Sequence, residues 1–263
     1  KPDEWQYILV DCGAKVVFGS TRAIVEKLRA VKPNIPTLEH VIGYDLPESE
    51  PDSYAAVRAA GRAKPIAAIE PGLEDIAGFI YTSGTTGKPK GVLLSHGNIV
   101  SNIDAMHACF RFEPTDRSLS FLPWAHSFGQ TVELNGLLSM GSSMAINDDI
   151  PNLLPNLAEV RPTILFAVPR VFNRLYDGVN KQMSERPGMI QSLFRSGITA
   201  AAKQNGGGSL GMFERAQLAL ADRLIFSKVR QRFGGRLKYA ISGSAALNGD
   251  VARFIDALGI NVY

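Results

Sequence analysis

The chain has 263 residues, 45% of them hydrophobic, with 28 basic and 25 acidic side chains and a formal net charge of +3. That length can bury a sizeable core in one or two domains, and so balanced a charge excludes the basic footprint of a nucleic-acid-binding protein. The two cysteines, Cys12 and Cys109, show neither metal-ligand nor redox spacing, which implies free thiols in a reducing, cytoplasmic setting, and no apolar run reaches the ~20 residues of a spanning helix.

Residue 1 is Lys rather than Met, so the chain is expected to begin inside a longer protein. The apolar stretch 7–10 followed by Cys12-Gly13 predicts a helix end, and 14–18 a buried strand. Residues 21–31 read as a helix, 37–44 as a short strand and the acidic, proline-containing 45–52 as a loop. The apolar run 76–81 is a strand and 92–94 a second, short one; Ser95 and Asn98 then open a helix whose apolar face carries Ile99, Ile103, Met106 and Phe110. Residues 118–122 lead into the loop 123–129, after which a helix-like run extends through Leu138, stops near Gly141 and gives way to a strand over 143–146.

A helix is predicted over 153–160, a strand over 163–168, and a helix opened by Pro169 with Phe172, Tyr176, Val179 and Met183 at helical spacing. Gly206 to Gly208 mark a flexible connection. A basic amphipathic helix follows, then a strand over 237–241 and a turn over 242–246. Asn248 opens a last helix, which faces Val251, Phe254, Ile255 and Leu258 inward and is closed by Gly259 before a final strand over 260–263. This alternation predicts an α/β fold, mostly parallel sheets flanked by helices, with ligands beyond the carboxyl ends of the strands. Both the segment after residue 81 and the turn at Ser242 fall there.

The most informative segment is Thr82-Ser-Gly-Thr-Thr-Gly-Lys-Pro-Lys90. Gly84 and Gly87 let the backbone turn tightly and bring N–H groups toward an anion. Thr82, Ser83, Thr85 and Thr86 can donate hydroxyl hydrogen bonds, and Lys88 and Lys90 supply positive charge. A Walker loop needs four residues between its first glycine and Gly-Lys-Ser/Thr; here two separate Gly84 from Gly87, and Pro89 follows Lys88, so a kinase or GTPase reading fails on geometry. A lone Gly/Ser/Thr cluster is more often a surface turn, but this unbroken run resembles the phosphate loop of the adenylate-forming (AMP-binding) superfamily. That family includes acyl-CoA synthetases, luciferases, aryl-CoA ligases and peptide-synthetase adenylation domains.

The resemblance implies that Thr82 to Gly87 hold the β- and γ-phosphates of ATP with Lys88 and the catalytic Lys90 alongside, and that Thr82 touches Mg²⁺. The loop with Trp124, His126 and Phe128 is weak evidence alone, since a lone histidine is more often structural and aromatics beside a proline are usually core. It resembles the family's acyl-pocket motif, in which His126 borders the carboxylate or acyl phosphate and Trp124 or Phe128 gates the tail. Gly243, Ser244 and Ala245 form either a tight packing turn or, by resemblance, a pocket wall against the adenylate. Arg170 reads as structural, and the string around it, with the loop at 122–129, resembles the long-chain fatty acid–CoA ligases.

The implied reaction activates a long-chain fatty acid with ATP through an acyl adenylate and passes it to coenzyme A, releasing AMP and pyrophosphate. An aryl- or medium-chain acid ligase, or a non-catalytic nucleotide- or acyl-binding module, are the alternatives. Residues 1–263 are expected to be part of the large AMP-binding domain, with sublobes of about 1–110 and 111–263. The family's small C-terminal domain and its Tyr-Gly-x-Thr-Glu segment are expected beyond Tyr263, so the isolated chain is expected to be inactive. The basic stretch 223–238 reads either as a face for the inner membrane surface or, more commonly, as a solvated face over a core stripe. The oligomeric state is not set by the sequence.

Overall fold

A computed structural model describes residues 2–83 and 87–263; Gly84, Thr85 and Thr86 of the expected phosphate loop lie outside the described residues. The chain divides into two compact units, Lys1–Val100 and Ser101–Tyr263.

The first unit runs α1 (Pro2–Asp11), β1 (Val16–Gly19), α2 (Arg22–Val31), β2 (His40–Gly43), α3 (Tyr54–Ala63), β3 (Ile76–Thr82) and β4 (Lys90–Ser95), and α4 (His96–Cys109) begins at its end. Strands β1 and β2 pair in parallel, Val16 opposite His40 through Gly19 opposite Gly43. Helix α2 starts where the Thr21 side chain accepts the Ile24 N–H, and it turns Val25 and Leu28 into a core with Ile35, Leu38, Val41 and Leu46. The expectation of a buried β1 is corrected: Val16 and Phe18 are exposed, and Phe18 stacks on Tyr44 at 5.6 Å, because a two-stranded sheet covered on one face leaves alternate side chains open.

Strands β3 and β4 are antiparallel, so the loop between them closes a hairpin. Helix α3 was not foreseen. It is capped by Ser53, which accepts the Ala56 N–H, and it buries none of its residues.

The second unit contains β5 (Arg117–Ser120), α5 (Gly136–Met140), β6 (Ser143–Ile146), α6 (Leu153–Val160), β7 (Ile164–Ala167), α7 (Pro169–Ser184), α8 (Gly188–Asn205), α9 (Met212–Ala221), α10 (Ser227–Arg232), β8 (Tyr239–Ser242) and α11 (Gly249–Ala257). Its strands form one parallel sheet in the order β6-β5-β7-β8. Every residue of β7 is buried. Leu165 and Ala167 join a core with Phe172, Phe226, Phe254 and Ile255, while Ile164 and Phe166 join another with Met106, Leu137 and Ile241. Alternate residues therefore feed the two cores of a sheet covered on both faces, which is why the strand reads as a continuous apolar run.

The stripes of α7 and α11 are buried as expected, and Asn248 accepts the N–H groups of Asp250 and Val251. The segment 260–263 makes only a single bridge, Ala240 to Val262, rather than a full strand. The three glycines at 206–208 close α8 with hydrogen bonds to Ala202, Gln204 and Lys203 carbonyls, a capped helix end rather than a free connection. In the basic stretch Ile225, Phe226, Val229 and Phe233 are buried and Arg230 bonds Asp222 and the Leu258 carbonyl, so its apolar residues form a core stripe. Among the described residues no helix is long and apolar enough to cross a membrane.

Two wide, π-helical turns, Gly129–Asn135 and Asp222–Phe226, interrupt the regular helical spacing. Both escape a reading that looks for a 3.6-residue period.

Candidate functional site

In the first unit the hairpin presents Thr82 directly opposite Lys90. Opposed residues of an antiparallel pair share a face, so the hydroxyl and the ammonium stand side by side at the mouth of the loop. Thr82, Ser83, Gly87, Lys88 and Lys90 are all exposed. Gly87 has φ +93°, with open space where a Cβ would stand, so conformation rather than crowding requires glycine.

Two tyrosines that the sequence reading passed over tie the hairpin to α1. The Tyr7 hydroxyl donates to the Pro89 carbonyl at 3.0 Å, and the Tyr81 hydroxyl donates to Asp11 Oδ2 at 2.7 Å. Burial and the Asp11 bond raise the Tyr81 pKa, so it remains a protonated donor. Lys88 Nζ lies 5.4 Å from the centre of the Tyr7 ring, within cation–π range. Among the described residues no group of three or more His, Cys, Asp or Glu could hold a metal. Thr82 offers one oxygen, and these side chains do not by themselves fit magnesium, which takes carboxylate and phosphate oxygens.

In the second unit the ends of β5, β7 and β8 carry the other predicted residues. Past Ser120, the chain turns where His126 N–H donates to the Pro123 carbonyl, and Gln130 N–H donates to the His126 carbonyl at 2.9 Å. Gly129 is buried where a Cβ would lie 2.7 Å from the Pro123 carbonyl oxygen, so the close turn depends on it. His126 is exposed, and its Nδ1 accepts the Phe128 N–H at 3.2 Å. In the neutral ring this puts the proton on Nε2, making that nitrogen a donor.

Gly243 follows β8 and donates its N–H to the Ala167 carbonyl at 3.1 Å. A Cβ on it would stand 2.3 Å from Phe128 Cε2, a clash. The structure thus brings Phe128 and Gly243 into contact. Ser244 holds φ +70°, a left-handed conformation uncommon outside glycine and typical of functional turns. Ala245 is exposed on the same turn, and Arg170 is exposed in the first turn of α7.

Gln130 and Glu133 carry no role in the sequence reading, and Ser242 enters it only as the start of a turn. Among the described residues, Gln130 Oε1 and Ser242 Oγ are buried without a hydrogen-bond partner. Glu133 is 0% exposed. Its Oε2 accepts from Ser120 Oγ at 2.6 Å and its Oε1 from Ser118 Oγ at 3.3 Å. Ser120 Oγ in turn accepts the Trp124 indole N–H at 3.2 Å. Burial raises the Glu133 pKa to about 7, against the hydrogen bonds from Ser120 and Ser118 and the nearby Trp124 indole N–H, which favour the charged form. The one available signal was a pair of serines at alternate positions of β5, which share a face of the strand.

Residues 1–263 match the family model described as AMP-binding enzyme. The peroxisomal long chain acyl-CoA synthetase 6 of Arabidopsis thaliana is 33% identical over 208 residues, 77% of this chain and 28% of its own length. The long-chain-fatty-acid–CoA ligase FadD15 of Mycobacterium tuberculosis is 30% identical over 272 residues, 99% of this chain and 44% of that protein. Among solved structures, ATP-bound MatB from Rhodopseudomonas palustris aligns with a TM-score of 0.62 at 25% identity, over 98% of this chain and 40% of that one. The A-PCP didomain of carboxylic acid reductase from Segniliparus rugosus in complex with AMP aligns with a TM-score of 0.69 at 22% identity, over 100% and 37%, a likeness of fold alone. The chain spans less than half the length of the curated relatives it matches.

Proposed function

The chain belongs to the AMP-binding enzyme family, and we propose that it forms the ATP- and acyl-binding core of an AMP-forming long-chain fatty acid–CoA ligase. The observation that carries this reading is the Thr82–Lys90 pairing at the mouth of a hydroxyl- and glycine-rich loop, in a chain whose relatives carry long-chain ligase names.

In the first half-reaction a carboxylate oxygen of the fatty acid attacks the α-phosphorus of ATP in line; the P–O bond to pyrophosphate breaks and an acyl adenylate forms. In the second, the coenzyme A sulfur attacks the acyl carbonyl and AMP leaves. Such chemistry depends mainly on positioning and charge stabilisation. Thr82, Ser83, Gly87, Lys88 and Lys90, with Gly84, Thr85 and Thr86 of the same motif, hold the β- and γ-phosphates. His126 donates from Nε2 to the carboxylate or to the adenylate phosphate. The turn Gly243, Ser244 and Ala245, with Gly243 packed against Phe128, borders the adenylate, and Trp124 and Phe128 border the acyl tail. Mg²⁺ would enter with ATP, with Thr82 as at most one of its ligands, and no step is assigned to it.

Alanines at Thr85, Thr86 and Lys90 in the intact protein test this. Fatty-acid-dependent pyrophosphate release should fall at least about a hundredfold, in the range of losing positioned oxyanion donors; unchanged release and unchanged thioester formation refute it. Chain-length dependence of adenylate formation separates a long-chain from an aryl- or medium-chain acid ligase. Retention of ATP and acyl ligand without turnover by the intact protein identifies a binding module instead. Residues 1–263 alone should be nearly inactive, and full turnover by them contradicts that part of the proposal.

A further inference from the structure

A carboxylate without a positive partner is costly to bury, and an apolar residue would serve packing better. Glu133 is nevertheless fully enclosed in the wide turn Gly129–Asn135, the kind of local irregularity that is frequent at functional sites. What it holds is the start of a one-way chain. An indole N–H can only donate, so Trp124 donates to Ser120 Oγ, and the Ser120 hydroxyl proton is left to donate to Glu133 Oε2. While Glu133 is ionised, each bond polarises the next and the serine–carboxylate bond is charge-assisted. A proton on Oε2 asks Ser120 to accept from both sides and leaves its own hydrogen without this acceptor.

We propose that Glu133 is a positioning residue: through Ser120 it anchors the Trp124 indole, and with it the loop carrying His126 and Phe128, tightly when ionised and slackly when protonated. Its setting supports a group that changes state near neutrality, since burial raises its pKa to about 7. The charged and titratable groups on the elements around it are few. Strand β5 brings Arg117, bonded to Ser143 Oγ and the Val160 carbonyl, and is preceded by Asp116, bonded to Thr163 and paired with Lys238. Helix α4, which meets this segment where Met106 lies against Gly136, brings within this unit Asp104, His107 and the free thiol Cys109, with His107 3.0 Å from Ser139 Oγ. Strand β7 and helix α5 bring none. The loop itself brings His126; histidine as a residue type changes charge near neutral pH, so the test must separate both His126 and His107.

The bearing of this anchor on acid activation rests on the function proposed above, whereas the anchor itself is read without turnover, so the two fail separately. The full chain is labelled with ¹⁵N-tryptophan, and the indole N–H resonance that disappears in Trp124→Phe is followed across neutral pH. In the parent, in His126→Gln and in His107→Gln it should move downfield as pH rises, with one midpoint near 7. In Glu133→Gln and in Ser120→Ala it should stay still. Ser120→Ala cuts the link while keeping the carboxylate, so the test survives if Glu133→Gln fails to fold. A resonance that does not titrate in the parent, that stops titrating in His126→Gln or His107→Gln, or that still titrates in Glu133→Gln or Ser120→Ala overturns the proposal.

Discussion

Replacing Glu133 by Gln keeps the side chain's shape and removes its titration, and the structure sets the size of the consequence. The folded carboxyl titrates near 7 against an ordinary 4.5, because burial disfavours its charge. That difference of about 2.5 pKa units, at 1.36 kcal/mol each, is about 3 kcal/mol. A raised folded pKa fixes the sign. Between about pH 4.5 and about 7 the native state keeps a proton that the unfolded chain has released, so the contribution is complete below 4.5 and lost as pH rises through 7. Urea unfolding of the parent and of Glu133→Gln, both in a Trp5→Phe background so that Trp124 emission reports the second unit, should be compared at pH values on either side of this window. Groups common to both proteins cancel in the difference. The gap should move by about 3 kcal/mol in favour of the glutamine protein from the acid to the alkaline side. Profiles that stay parallel to within about 1 kcal/mol refute the reasoning.

Three further substitutions test other parts of the structure. Gly243→Ala drives a methyl into the Phe128 ring; it should cost about 1–3 kcal/mol of stability and raise the KM for the acid in a pyrophosphate-release assay of the intact protein. Gly234→Ala places a Cβ 2.4 Å from Arg161 Cα and 2.8 Å from the Leu157 carbonyl oxygen, at φ +81°. Because backbone cannot yield as a side-chain tip can, calorimetry should show a loss of more than about 3 kcal/mol. Lys238→Met removes the ammonium 3.0 Å from buried Asp116 and 2.7 Å from Glu113. Lys238 is 42% exposed and Asp116 keeps its bond from Thr163 at 2.7 Å, so the loss in urea should be about 1 kcal/mol. Burial works to raise the Asp116 pKa, but Thr163, Lys238 and the Glu113 N–H together hold it below its ordinary 3.8. The stability it contributes is therefore present above 3.8 and lost as pH falls through the lower folded value.

Much of the fold is legible because it is local or periodic. The unbroken apolar run of β7, the stripes of α7 and α11 and the Asn248 cap state their structure in consecutive residues. The Thr82 to Lys90 run likewise announces an anion-binding composition without any tertiary contact. The two wide turns, which break the helical period, leave no such trace.

By itself, then, the sequence determined the α/β alternation, the residue types at the ends of the strands and the family they belong to. The tertiary structure alone decided that β3 and β4 run antiparallel, that Tyr7 and Tyr81 brace the hairpin, that Phe128 lies on Gly243, and that Glu133 is buried on two serines beneath Trp124. Hydrogen-bond partners, close approach and local dielectric are properties of residues distant along the chain, and no reading of neighbours in sequence contains them.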